Sequence, residues 1–169
     1  MPERVKSPVL LVDDEPDMLF SLQGLLRRDF DVRTAESGQQ ALAMLEERPA
    51  HVIMSDQRMP GMTGVQFLSR AHVLCPDAVP ILFTGYADIK AVIDAVNQGR
   101  IYHYVTKPWD PDDLVQLLRD ADREYQSHAG RERLLVDLRD FVTDALASTS
   151  NGALRERGGA LLKRLSREV

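Results

Sequence analysis

The sequence feature that most constrains this chain is an apolar run that stops at a single carboxylate. Val52-Ile53-Met54 favours a β-strand, which ends at Asp56, shortly before the chain-breaking pair Pro60-Gly61. This order predicts that Asp56 lies at the carboxyl end of a buried strand and opens a loop. Ligands of open α/β sheets bind at such strand ends, so Asp56 is the first candidate site residue.

Strand-like and helix-like segments alternate about five times within roughly 120 residues, which is typical of a doubly wound parallel sheet. Besides the strand that ends at Asp56, apolar or β-rich runs predict strands at 9–12, 31–35, 79–83 and 101–105. Apolar residues at helical spacing follow each run and predict helices that begin near Pro16, Gly38, Val65, Asp88 and Pro111.

Polar side chains follow four of the five predicted strands. Asp13 and Asp14 follow the first, Asp56 ends the third, Thr84 follows the fourth and Lys107 follows the fifth. Taken singly, the first two acids could cap a helix, Thr84 could be a turn residue and Lys107 an exposed loop residue. Because parallel strands place their carboxyl ends at one edge, we expect all five side chains to meet there.

Three carboxylates in one cleft repel each other, and a hard divalent cation such as Mg²⁺ relieves that repulsion. Lys107 adds a compact positive charge and Thr84 a hydroxyl donor, which together suit a phosphoryl group. Attack by a carboxylate on phosphorus gives an acyl phosphate. We therefore expect Asp56 to be the nucleophile and Asp14 a metal ligand, with Asp13 supporting the metal through water.

Four motifs, in their order and spacing, resemble those of the response-regulator receiver domain of two-component signalling. They are Val12-Asp13-Asp14-Glu15, Asp56 with Met59-Pro60-Gly61, Thr84-Gly85 and Lys107-Pro108. The resemblance covers about residues 7–126. It implies a flavodoxin-like fold with strand order 2-1-3-4-5 and Asp56 as phosphoacceptor. It also implies Mg²⁺ as the required ion and a histidine kinase or phosphotransfer protein as the donor in a phosphorelay.

The same resemblance assigns finer roles within the site. It implies that Asp14 and Asp56 bind the metal together with the backbone carbonyl of Arg58, and that Thr84 and Tyr104 form a switch. The longer motifs are similar to those of the subgroup that includes hydrogenase-regulating and cyclic-di-nucleotide-hydrolysing regulators. We further expect the Arg58 guanidinium to lie over the phosphoryl group and slow the attack of water.

Residues 127–169 fall outside the resemblance, so we expect a receiver domain over 1–126 and a helical extension over 127–169. A break at 148–152 separates its first helix from a short second helix, which we expect Gly158-Gly159 to interrupt. The extension is too small to bury its own apolar stripe, so it is a dimerisation segment or the start of an output module, and we expect a homodimer. The stripe comprises Leu134, Leu135, Leu138, Phe141, Val142, Ala145 and Leu146.

Composition and charge narrow the remaining classes. A net charge of −5 argues against bulk attraction to polyanions, and no helix-turn-helix pattern accompanies the basic residues of the extension, so direct DNA binding is not expected. No apolar run approaches the roughly 20 residues that cross a bilayer, so no membrane contact is expected. The single Cys75 and the absence of a signal peptide predict a cytoplasmic protein.

A switch that acts through its partners is the leading interpretation, and we expect no enzymatic turnover beyond self-phosphorylation from donors and slow self-dephosphorylation. The alternative is a Mg²⁺-dependent phosphohydrolase with an Asp nucleophile. Such hydrolases usually carry a second Asp two residues after the nucleophile, where this chain has Arg58. A flavodoxin is disfavoured because three acids would repel the phosphate of the flavin cofactor.

Overall fold

A computed structural model describes residues 5–85, 88–98 and 101–165. The strands within these residues are β1 (Ser7–Val12), β2 (Phe30–Ala35), β3 (Val52–Asp56), β4 (Val79–Thr84) and β5 (His103–Thr106). The helices are α1 (Pro16–Leu26), α2 (Gly38–Glu47), α3 (Gly64–Leu74), α4 (Ile89–Asn97), α5 (Pro111–Ser148) and α6 (Gly152–Leu165).

The five strands form one parallel sheet in the order β2-β1-β3-β4-β5, which confirms the expected doubly wound architecture. All five residues of β3 are buried, as its position in the middle of the sheet requires. β5 is an edge strand, and its ladder begins at His103, two residues later than the sequence pattern predicts. The shift arises because Ile101 is apolar and buried although it precedes the ladder.

Apolar side chains alternate between the two faces of the sheet, with a period of two residues. Leu10 and Ile53 pack on one face with residues of α2, α3 and α4. Leu11 and Met54 pack on the other face with residues of α1 and α5. Because helices cover both faces, the inner strands β1, β3 and β4 are mainly apolar, whereas the edge strand β2 carries Asp31 and Arg33 within its length.

Helix α3 approaches the backbone of β3 closely at Gly64. A Cβ at this position would lie 2.2 Å from the carbonyl oxygen of Asp56 and 2.8 Å from Leu82 Cδ1. The helix begins with a capping box in which the Thr63 side chain accepts from Gln66 N and the Gln66 side chain accepts from Thr63 N. Glycine therefore lets a well-capped helix seat directly against the end of the central strand.

A polar cluster fixes α5 to the opposite, amino-terminal edge of the sheet. Asp122 accepts a hydrogen bond from Ser7 Oγ at 2.8 Å and lies 2.9 Å from His51 Nδ1. The His51 ring also stacks on Tyr125, with 3.9 Å between the ring centroids. Side chains from β1, α5 and the loop before β3 thus meet at this edge, far from the predicted site.

The chain divides into two compact units, residues 1–125 and 126–169. Helix α5 continues through Gly130 to Ser148, and residues 149–151 form the expected break before α6. The expected interruption at Gly158-Gly159 is wrong, because α6 is continuous from Gly152 to Leu165. A Cβ on Gly158 would lie 2.6 Å from Leu146 Cδ2, so this glycine serves close packing of α6 against α5 within the second unit.

The side chains of four members of the expected apolar stripe, Leu134, Leu135, Leu138 and Phe141, lie outside the described part of the structure. Of the remaining members, Val142 and Leu146 are partly buried and Ala145 is exposed. Across the described ranges of the chain, no helix combines the length and the apolar character needed to cross a membrane.

We predict that Gly64→Ala lowers the free energy of unfolding by about 3 kcal/mol, because the added methyl group meets fixed backbone atoms. Gly24→Ala is the matched control, since a Cβ there meets nothing within 4 Å and α1 gains helix propensity. We expect this control to raise the free energy of unfolding by up to about 1 kcal/mol. Urea denaturation followed by circular dichroism measures both, and equal stability of the two variants would contradict the prediction.

Candidate functional site

The carboxyl edge of the sheet gathers the polar residues that the sequence places at strand ends. Asp13 follows β1, Asp56 ends β3, Thr84 ends β4 and Lys107 follows β5. Lys107 Nζ lies 2.9 Å from Asp56 Oδ1 and 3.6 Å from Asp13 Oδ2. The lysine therefore joins the carboxylates of two neighbouring strands.

Asp13 is buried, and its two oxygens have different surroundings. Its Oδ1 accepts a hydrogen bond from Glu15 N at 2.9 Å, whereas its buried Oδ2 accepts none from the described residues. Burial raises the pKa of Asp13, the hydrogen bond from Glu15 opposes that rise, and the charge of Asp56 adds to it. The site thus holds an ionisable oxygen whose charge the protein alone balances poorly.

The arrangement of the acids fits a hard cation. One carboxylate oxygen from each of Asp13, Asp14 and Asp56 lies within 4.8 Å of the others. Such a set consists of oxygen donors only, and the unsatisfied Oδ2 of Asp13 is an acceptor that a hydrated cation would satisfy. Because Asp14 is partly exposed, the group could take up an ion from solvent.

Lys107 is held in its charged form. Burial opposes that form, but the hydrogen bond to Asp56 and the charges of Asp56 and Asp13 outweigh it and raise the pKa of Lys107. The ammonium also lies 5.1 Å from the centroid of the Phe83 ring. The Trp109 ring packs edge-on against Phe83, with 4.5 Å between the ring centroids. A permanent positive charge therefore faces the acidic pair.

The loop after Asp56 is fixed by Gln57, which sequence reasoning did not single out. Gln57 N donates to Phe83 O, Gln57 O accepts from Gly64 N, and the side-chain Oε1 accepts from Val65 N. The other oxygen of Asp56, Oδ2, accepts from Arg58 N at 3.1 Å. The signal available in the sequence is the position of Gln57, directly after an acid that ends a predicted strand.

The two expected switch residues occupy different surroundings. Thr84 is buried at the carboxyl edge, and its hydroxyl donates to Gly85 O at 3.1 Å. Tyr104 is 39% exposed, with its ring stacked beside that of His103. The structure therefore brings Thr84 to the site edge and places Tyr104 on the surface.

The Arg58 side chain binds a partner that the sequence did not suggest. Its Nε lies 2.9 Å from Asp88 Oδ2, one residue before α4. The sequence pattern places Asp88 only near the start of a predicted helix. The pair joins the loop after β3 to the loop after β4.

Comparison with known proteins gives a family match described as the response regulator receiver domain, over residues 9–119. The hydrogenase transcriptional regulatory protein HoxA of Cupriavidus necator is 38% identical over 157 residues, which cover 93% of this chain and 31% of HoxA. The transcriptional regulator NtrC of Salmonella typhimurium is 34% identical over 119 residues, which cover 70% of this chain and 25% of NtrC. The chain thus spans less than a third of the length of these curated relatives, and the similarity to HoxA extends into the residues after 125.

Two solved structures show the same fold. One, described as the adenylate cyclase from Rhodopirellula baltica, is 35% identical with a TM-score of 0.75, and the match covers 77% of this chain and 97% of that protein. The other is the signal receiver domain of an HD domain-containing protein from Pseudomonas fluorescens Pf-5. It is 34% identical with a TM-score of 0.71, and covers 78% of this chain and 97% of its own.

We predict that Asp13→Asn raises the free energy of unfolding in metal-free buffer at neutral pH, on the order of 1 kcal/mol. The amide keeps an acceptor for Glu15 N and removes a buried charge. Because the folded pKa of Asp13 is raised, the wild-type carboxyl favours folding most below its ordinary pKa of 3.8 and loses that contribution as the pH rises through the folded value.

The difference in the free energy of unfolding between Asp13→Asn and the wild type should therefore decrease as the pH falls toward 3.8. Thermal unfolding with chelator and then with Mg²⁺ is the measurement, and the metal should stabilise the wild type more than the variant. Asp94→Asn, which removes an exposed carboxylate from α4, is the control. Equal stability of the wild type and Asp13→Asn without metal would contradict the prediction.

Proposed function

Because the chain belongs to the response regulator receiver domain family, we propose that it accepts a phosphoryl group on Asp56 in a Mg²⁺-dependent reaction. The donor is a histidine kinase or a histidine phosphotransfer protein. The observation that carries this proposal is the contact of Lys107 with Asp56, at 2.9 Å, inside a cluster of three carboxylates. We assign the protein to signalling by phosphorylation rather than to enzymatic turnover.

In the proposed step, a carboxylate oxygen of Asp56 attacks the phosphorus of a phosphohistidine. A P–O bond forms, the P–N bond breaks, and the imidazole leaves with the electron pair and takes up a proton. The Lys107 ammonium stabilises the negative charge on the transferring oxygens. Mg²⁺, when bound, supplies further positive charge there; Asp14, Asp56 and the Arg58 carbonyl would hold it, and Asp13 would support it through water.

Phosphorylation would then change the surface of the domain. The Thr84 hydroxyl, which now donates to Gly85 O, would turn to the phosphoryl group, and the exposed Tyr104 ring would move inward into the space it leaves. Such a change is a shift between two populations and requires different phosphoryl affinities in the two states. The output is therefore a changed preference for a partner.

We propose a cytoplasmic homodimer that pairs through the second unit, residues 126–169. Leu154 on α6 is a large apolar residue that is 50% exposed, and pairing of two copies would bury it. We assign residues 126–165 to pairing rather than to DNA contact, as the acidic net charge of the chain favours.

We predict that incubation with Mg²⁺ and acetyl phosphate adds one phosphoryl group to the wild-type protein, and that Asp56→Asn loses at least nine-tenths of this labelling. An amide oxygen is a far weaker nucleophile than a carboxylate, and it cannot form the acyl phosphate. Intact-protein mass spectrometry measures the product. Asp94→Asn, which changes an exposed acid on α4, should label like the wild type.

Labelling of Asp56→Asn at the wild-type level would refute Asp56 as the acceptor. Steady release of phosphate from small phosphomonoesters by the wild type would instead support the phosphohydrolase alternative. Labelling that persists unchanged in excess chelator would refute the requirement for Mg²⁺.

We predict that Leu154→Glu weakens self-association by at least about tenfold, a change of roughly 1.4 kcal/mol, because it places a charge in an apolar contact. Val73→Glu is the matched control, since Val73 is an exposed apolar residue of α3 outside the second unit. Light scattering over a concentration series is the measurement, with Mg²⁺ alone and with Mg²⁺ and beryllofluoride. A wild-type protein that is monomeric under both conditions would refute the proposed homodimer.

A further inference from the structure

The Arg58–Asp88 ion pair lies at the mouth of the proposed phosphorylation site. Arg58 is two residues after Asp56, and Asp88 is four residues after Thr84. Strands β3 and β4 are neighbours, with Asp56 opposite Phe83, so the two loops lie side by side at the carboxyl edge. The bond of 2.9 Å between Arg58 Nε and Asp88 Oδ2 therefore closes a bridge between the loops that flank Asp56.

The two members of the pair differ in how firmly the protein holds them. The Arg58 side chain is 69% exposed, whereas the Asp88 side chain is only 19% exposed. A long exposed side chain loses rotamer entropy when it is fixed, so its position depends on a less mobile partner. Among the described residues, Asp88 is that partner. Its side chain is more buried than that of Arg58, and the residue directly precedes α4.

The bond to Asp88 leaves most of the guanidinium available. Arginine carries five N–H donors, and within the described residues only the Nε donor of Arg58 bonds a side-chain acceptor. The hydrogen bond with Asp88 and the charge of that carboxylate raise the pKa of Arg58; slight burial opposes this, and the charge of Asp56 adds to it. The guanidinium is thus charged and retains donors that suit phosphoryl oxygens.

We propose that Asp88 is a positioning residue that holds the Arg58 guanidinium over the mouth of the site, where its free N–H groups contact a phosphoryl group on Asp56. The inference rests on the proposed function and deepens it, because it names how the phosphorylated state is recognised. It also predicts that the charge of Asp88 strengthens phosphoryl binding, which is the opposite of what simple charge repulsion predicts. A negative charge near a phosphoryl group should weaken its binding, whereas a carboxylate that positions an arginine should strengthen it.

Beryllofluoride, which mimics a phosphoryl group on an Asp carboxylate, is the probe, at saturating Mg²⁺. Trp109 is the only tryptophan of the chain and packs on Phe83 beside Lys107, so its fluorescence can follow binding, and titration calorimetry checks the values. Asp88→Asn is the informative change because Asn caps helices as well as Asp does. We expect this variant to bind beryllofluoride about two- to fivefold more weakly than the wild type, the range for one partly exposed ion pair.

A double-mutant cycle separates positioning from other effects. Arg58→Gln should also weaken binding, and Asp88→Asn should have no further effect in the Arg58→Gln background. Asp17→Asn is the charge control, since Asp17 is an exposed acid in the first turn of α1, the helix that follows β1. This control should bind beryllofluoride no more weakly than the wild type.

Equal or tighter binding by Asp88→Asn would overturn the proposal, because Asp88 would then be a competitor for Arg58 or a mere source of repulsion. Weakening of the same size in both the Arg58 wild-type and Arg58→Gln backgrounds would also overturn it, since Asp88 would then act through the loop. A wild-type protein that does not bind beryllofluoride at all would refute the proposed function itself. Binding by the wild type without coupling in the cycle would refute the positioning role alone.

Discussion

Repulsion between like charges at one edge of a parallel sheet is the constraint on which the site depends. β1 and β3 are neighbours that run in the same direction, so Asp13 and Asp56 are brought together by the same topology that builds the core. Lys107 offsets part of the repulsion, yet one buried oxygen of Asp13 accepts no hydrogen bond from the residues that the structure describes. The fold thus holds an electrostatic imbalance that a cation or a phosphoryl group with its counter-ion can relieve.

The apolar core supplies the folding free energy that offsets the repulsion between these carboxylates. Helices on both faces bury most of the inner strands β1, β3 and β4. Gln57 holds the loop after Asp56 by hydrogen bonds to β4 and to the start of α3. The acidic residues therefore have little freedom to move apart from one another. Rigid support behind an edge of unbalanced charge is what a preorganised site requires.

The parts of the fold that follow from periodicity and strand ends could be predicted from sequence. Alternating apolar runs gave the parallel sheet, and the polar residues at strand ends gave Asp13, Asp56 and Lys107, which the structure brings into contact. These features depend on local patterns and on one rule about parallel strands.

Features that depend on three-dimensional packing could not be predicted in the same way. Gly158-Gly159 indicates a helix break by propensity, but the close contact with Leu146 shows that packing within the second unit overrides it. The Arg58–Asp88 pair joins residues 30 positions apart in two loops, and no local pattern encodes that contact. The surface position of Tyr104 likewise depends on side-chain rotation rather than on the strand pattern that contains it.

The contact at Gly64 has a consequence for how this sequence can diverge. Every other amino acid carries a β-carbon, so any missense change at this codon introduces the same steric conflict with the Asp56 carbonyl, whatever its polarity or charge. Divergence elsewhere in α3 can proceed through exchanges of similar volume, as in most cores. At Gly64 even the smallest substitute, alanine, meets the same backbone oxygen. Substitutions at this position beside Asp56 are therefore not expected to be neutral.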